Sequence, residues 1–192
     1  MILKGEETHT SETALVEELN MSRTPIREAL HRLQHEGFVE ILSNQGIIIR
    51  ELSIKERIDL NDMRVAIETY SLKQAIEKME TKDFIVLEKI IRKQKKANER
   101  NELFDFLKED AQFHQYLLEV VGNSVFISMY QNARERLFTV RDSKNIQNRP
   151  DIISRLIKEH EEIVRALKEK NGELAVRQLE EHITQGKGIY YE

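Results

Sequence analysis

The sequence has no cysteine and no tryptophan, and only two prolines and seven glycines in 192 residues. Without thiols there is no disulfide framework, no thiolate metal site and no cysteine nucleophile. So few helix breakers exclude collagen-like and low-complexity chains. No apolar run approaches the roughly 18 residues a membrane-spanning helix needs. The opening MILKGEETHT lacks the basic-then-apolar pattern of a secretory signal. A cytoplasmic protein with no membrane partner is the expectation. The formal net charge is −4, which by itself gives no sign of a nucleic-acid partner. What the chain does have is frequent Leu, Ile, Glu and Lys, the composition of a mainly helical protein.

The texture changes near residue 52. Before it, the pattern reads as two short helices and a strand pair. Ser11 can cap a helix over 11–19, and a second helix runs from Ser22 or Thr24 to about His35, stopped by Gly37. The β-prone runs 38–42 and 47–50 flank a polar turn with Gly46, which predicts a hairpin. After Ser53 the pattern predicts helices over about 53–79, 81–99, 102–121, 124–145, 151–170 and 172–188. Turn or capping residues separate them, and Pro150 stands at a helix start. The fold class is therefore mainly α: residues 1–52 form one domain and residues 53–192 an antiparallel all-helical bundle. Lys89–Arg100 carries six Lys/Arg against one Glu. With no interleaved aromatic residue it reads as a solvated helix face rather than a nucleic-acid stripe.

Helix 11–19, the turn at Asn20-Met21-Ser22 and helix 24–35 have helix-turn-helix dimensions. Leu15, Val16, Leu19, Ile26, Ala29, Leu30 and Leu33 can pack the pair together. Ser22, Arg23, Thr24 and Arg27 remain as a polar helix start. Such a start suits DNA: arginine forks onto guanine, and hydroxyls and amide N–H groups meet phosphate. Gln45 and Gly46 at the hairpin tip could reach a minor groove. On spacing alone, a helical pair used only for packing or dimerisation stays open. Residues 1–57 hold seven Lys/Arg against ten Asp/Glu, so DNA affinity would rest on a local patch of Arg23, Arg27 and Arg32 and fall steeply with salt.

In the helical part, Asp110 and His114 sit one turn apart within the stripe Leu103, Leu107, Leu118, Val121. His160 falls on the stripe Ile153, Leu156, Ile157, Val164, Leu167. His182 falls on the stripe Ala175, Leu179, Gly186. Buried imidazoles and carboxylates need partners. Three histidines and one aspartate on core faces suit one divalent cation, Zn²⁺, Ni²⁺, Mn²⁺ or Fe²⁺. A buried Asp–His hydrogen-bonded network without metal is the competing reading. A metal-dependent enzyme is the alternative function. Against it, no general base stands out, because Glu109, Glu159 and Glu181 directly precede ligands and point about 100° away. The expectation is that the protein is not an enzyme.

Two stretches carry a family resemblance. Ser22-Arg23-Thr24-Pro25-Ile26-Arg27-Glu28-Ala29-Leu30, followed by Arg32-Leu33, Glu36-Gly37-Phe38-Val39 and Gly46, resembles the winged helix of GntR-family transcription regulators. The resemblance implies base and backbone contacts from Arg23 and Arg27 and a wing glycine in the minor groove. It also places a further helix ahead of residue 11, so the winged domain is expected to be shortened at its start. Residues from about 55 to 188 resemble the FCD effector domain of the FadR-like branch: Arg64 and Glu68 in DMRVAIE, Asp110 and His114 in EDAQFHQYLLEVVGN, His160 and His182 in the last two helices. This implies a metal-binding bundle with a small carboxylate effector at or beside the metal. Arg64 could meet that carboxylate or pair with Glu68. Arg134 and Arg141 are weaker candidates for the same pocket, since most arginines at such positions face solvent. Together these imply a homodimeric repressor that reads a near-palindromic operator in double-stranded DNA and is modulated by a small organic acid.

Overall fold

The computed structural model describes residues 9–43, 46–137 and 150–188. Gln45 and Arg141 lie outside the described residues. The chain divides into two compact units, Met1–Ser53 and Ile54–Glu192.

The first unit holds β1 (His9–Thr10), α1 (Glu12–Leu19), α2 (Arg23–His35), β2 (Val39–Leu42) and β3 (Gly46–Ile49). Ser11 caps α1 through its Oγ, which accepts from the Ala14 amide at 3.1 Å. Asn20 ends α1 in the left-handed region (φ 50°) and so makes the tight turn between the helices. Gly37 takes φ 83° after α2. The antiparallel sheet has the order β1-β3-β2, with Val39 opposite Ile49 and Leu42 opposite Gly46. The hairpin is as its residues predict, whereas β1 is an addition: two residues are too short to show a period. Leu15, Ile26, Leu30, Val39 and Ile47 form the core. Leu19, Ala29 and Leu33 depart from expectation and are exposed. The stripe through Leu15, Ile26 and Leu30 faces the sheet, and these three lie off that stripe.

The second unit contains α3 (Ile54–Ala75), α4 (Thr81–Glu99), α5 (Leu103–Val121), α6 (Ser124–Leu137), α7 (Pro150–Lys168) and α8 (Gly172–Gly188). α4 packs on α5 and α7, and α3 packs on α5, α6 and α8. Leu72, Leu87, Phe106, Phe113, Leu117, Ile163 and Leu179 are fully buried at the centre. A reciprocal cap starts α4: the Asp83 carboxylate accepts from the Glu80 amide at 2.7 Å. Gly122 closes α5 at φ 78°. The first helix ends at Ala75 rather than 79, because the Lys78 and Met79 amides both turn back to the Ala75 carbonyl. The helix expected over 124–145 is described only to Leu137. The cations of Lys89–Arg100 are exposed, and several pair with acids: Lys93 with Glu109 at 2.9 Å, Lys95 with Glu161 at 2.5 Å.

Helix α3 carries a feature of its own. Arg57, Asn61, Arg64, Glu68 and Ser71 follow helical spacing and are all buried. A polar stripe on a core-facing surface needs internal partners. Among the described residues, no helix is long and apolar enough to cross a membrane.

Candidate metal centre and nucleic-acid interface

α5 brings Asp110 and His114 to the middle of the bundle, α7 brings His160, and α8 brings His182. One ligand atom from each lies within 4.8 Å of all the others. The His114 and His160 Nε2 atoms each stand 3.1 Å from the His182 Nε2. Asp110 Oδ1 is 3.7 Å from the His160 Nε2. Metal–nitrogen bonds of about 2.0–2.1 Å place neighbouring donors roughly 3.0–3.4 Å apart at tetrahedral or octahedral angles. The two 3.1 Å imidazole contacts fit a divalent ion in spacing and the whole donor set fits one in chemistry, with Asp110 slightly wide at 3.7 Å.

The outer side of each ring is also engaged. The His114 Nδ1 lies 2.6 Å from Glu68 Oε2, the His182 Nδ1 2.7 Å from Glu159 Oε2, and the His160 Nδ1 3.0 Å from Gln94 Oε1. The carboxylates behind His114 and His182 hold the proton on Nδ1 and turn the Nε2 lone pair inward, the arrangement metal-bound histidines use; His160 takes the same arrangement when the Gln94 Oε1 accepts from its Nδ1. Burial lowers the pKa of His114 against the opposing pull of Glu68. Burial, then His182 and His114, hold His160 well below the usual imidazole range. Burial opposes ionisation of Glu68, but Arg64 and His114 outweigh it and bring the carboxyl down to about 2.

Both described arginines of the expected effector site reach this centre, and both are engaged there. Arg64 donates from Nε to Glu68 Oε1 at 2.8 Å and lies over the Tyr130 ring at 5.5 Å. Arg134 donates from Nη2 to Asp110 Oδ2 and to the Leu107 carbonyl, each at 3.1 Å. Of the three glutamates that directly precede ligands, Glu109 pairs with Lys93 and Glu181 is exposed. Glu159 corrects the expectation: the 100° offset from His160 points it at α8, where it meets His182. Gln94 was not anticipated either. Its signal was its place among the buried Ile90, Ile91 and Ala97 on α4, the same argument that singled out the histidines.

In the first unit, Ser22 caps α2 without a side-chain bond, and Ser22, Arg23, Thr24 and Arg27 are all exposed. Arg27 is gripped by both oxygens of Glu12, at 2.8 and 3.0 Å. Gly46 has φ 98°, and a Cβ there would meet the Thr10 carbonyl at 2.6 Å. Only glycine fits at that point of the wing.

Residues 7–49 match the bacterial regulatory proteins of the gntR family, and residues 59–185 match the FCD domain. The chain belongs to the GntR family. Relatives bear this out. The HTH-type transcriptional repressor RspR of Escherichia coli is 26% identical over 176 residues, covering 92% of this chain and 76% of that protein. The gluconate operon transcriptional repressor of Bacillus subtilis is 23% identical over 179 residues, covering 91% and 73%. The structure of E. coli McbR/YncC superposes with a TM-score of 0.78 at 22% identity, covering 95% of this chain and 86% of that one. This GntR-family chain, with its FCD domain, is a transcriptional regulator and not an enzyme.

Proposed function

We propose that this regulator is a repressor in the cytoplasm whose grip on operator DNA is set by a metal-centred, effector-binding helical domain. Residues 1–52 read DNA through Ser22, Arg23, Thr24, Arg27, Gln45 and Gly46. Residues 53–192 bind the effector and hold two copies together. The observation that carries the reading is the convergence of Asp110, His114, His160 and His182, with an acceptor behind the outer nitrogen of every ring. Among the groups that meet the centre, Arg64 and Arg134 balance Glu68 and Asp110, while Glu159 adds a negative charge. A divalent ion would then leave the centre cationic and suited to a small carboxylate. Arg64, Arg134 and Arg141 are the side chains assigned to that anion. An effector shifts DNA binding only if it prefers one state of the protein.

Dimerisation is supported by an exposed apolar area on α3 and α6. Tyr70, Val125 and Met129 are 54%, 63% and 42% exposed, and the Tyr70 ring meets Phe126 edge-on at 5.8 Å. Two copies would present two α2 helices to successive major grooves. The test is metal content and operator binding of the purified protein. One ion per chain, with DNA affinity that changes on chelation or on adding small organic acids, supports the reading. Metal-free protein that ignores added Zn²⁺, Ni²⁺, Mn²⁺ and Fe²⁺ overturns it.

A further inference from the structure

The three rings of the centre do not have equivalent backing. Glu68 and Glu159 are carboxylates and can only accept, so they fix His114 and His182 with the proton on Nδ1. His160 is backed by an amide, and an amide can accept from one end or donate from the other. Gln94 is fully buried, its Oε1 faces the His160 Nδ1 at 3.0 Å, and its Nε2 has no hydrogen-bond partner among the described residues. Turning the amide over exchanges one unpartnered atom for the other. Among the described residues, His160 is the hydrogen-bond partner that distinguishes the two faces of the amide.

We propose that Gln94 is a positioning residue that sets the tautomer of His160 and makes this a site from which metal can come and go. The proposal rests on the metal reading above. With no ion, three Nε2 lone pairs would point at one another across 3.1 Å with no hydrogen between them. His160 can relieve one of the two contacts. With the Gln94 Nε2 donating to its Nδ1, the ring carries its proton on Nε2 and donates to the His182 Nε2, with Asp110 Oδ1 3.7 Å away. A proton leaves Nδ1 and one arrives at Nε2 through water, and the ring stays neutral. Ion entry reverses both changes: the amide turns, Oε1 accepts from Nδ1, and the Nε2 lone pair is freed. Metal binding is thus weakened by the free energy of the internal hydrogen bond it displaces. Glutamate at position 94 would forbid the metal-free arrangement, because a carboxylate has no hydrogen to donate.

Long-range ¹H–¹⁵N spectra of the histidine rings in the chelated, full-length protein test this directly. His160 is expected with its proton on Nε2 and His114 and His182 with theirs on Nδ1; stoichiometric Zn²⁺ should move the His160 proton to Nδ1. Gln94→Glu should place it on Nδ1 without metal and tighten Zn²⁺ binding about tenfold or more in competition with a chelator, the scale of outer-sphere effects. A chelated parent with the His160 proton already on Nδ1 overturns the proposal. So does a folded Gln94→Glu variant with unchanged Zn²⁺ affinity. If the variant does not fold, the parent spectrum still decides. Failure of the parent to bind Zn²⁺ would sink the metal reading, while the metal-free tautomers would still report on Gln94.

Discussion

His114 and His182 lie 68 residues apart in the chain and meet Nε2 to Nε2 at 3.1 Å, each with a carboxylate behind its outer nitrogen. Two lone pairs held that close call for a shared cation. With Zn²⁺ at about 100 times its dissociation constant, the parent should gain roughly 2.7 kcal/mol of stability. His182→Ala should lose most of that gain while remaining folded without metal. Thermal unfolding with and without Zn²⁺ checks this, and an equal gain in the variant would contradict it.

Glu159 meets the centre through His182. Glu159→Gln should weaken metal binding about 10–100-fold, since the amide no longer enforces one tautomer of His182. Chelator competition reads the loss. Metal-free stability should change little, because the Glu159 side chain is partly exposed.

Arg23 and Arg27 stand at the exposed start of α2. Arg23→Ala and Arg27→Ala should each cost about 1–3 kcal/mol of operator affinity at matched salt. Arg27→Lys keeps the charge and loses the planar fork. It should retain the parent's salt slope yet lose discrimination between operator and random DNA. Fluorescence anisotropy on both DNAs measures the two effects.

Val125 and Met129 are four residues apart on α6, and both are exposed. On the proposed dimer, the parent should sediment as two copies and the Val125→Asp, Met129→Lys double variant as one. Neither side chain is in the core, so helical content should hold.

Tyr116 donates to Asp83 Oδ1 at 2.8 Å. Desolvation, then that hydrogen bond, push its phenol up to about 12. A folded-state pKa above the unfolded value of about 10 means stability that is complete below pH 10 and fades as pH rises through 12. Denaturant unfolding of Tyr116→Phe against the parent should show a difference that shrinks across that window.

The sequence made the inward histidines visible because each interrupts an apolar stripe of period 3.6, and a stripe needs no knowledge of its neighbours. The backing groups were harder. A helical wheel places Glu159 100° from His160 but does not say that α8 and His182 wait in that direction. Gln94 sat on a buried stripe in plain view, yet its meaning depends on which ring it faces. In the first unit, Leu19 and Leu33 look like core by composition. Their exposure is set by how α1 and α2 cross against the sheet, a relationship between elements that no single helix encodes.

The pairing of His114 with His182 has a mechanical consequence. An ion held by both would act as a crosslink across the 68 residues between them. By loop-closure entropy, a crosslink of that span restrains the unfolded chain by about 4 kcal/mol, comparable with a disulfide. A protein without a single cysteine would thus own a removable staple, and amide exchange along α8 should slow or quicken with its occupancy.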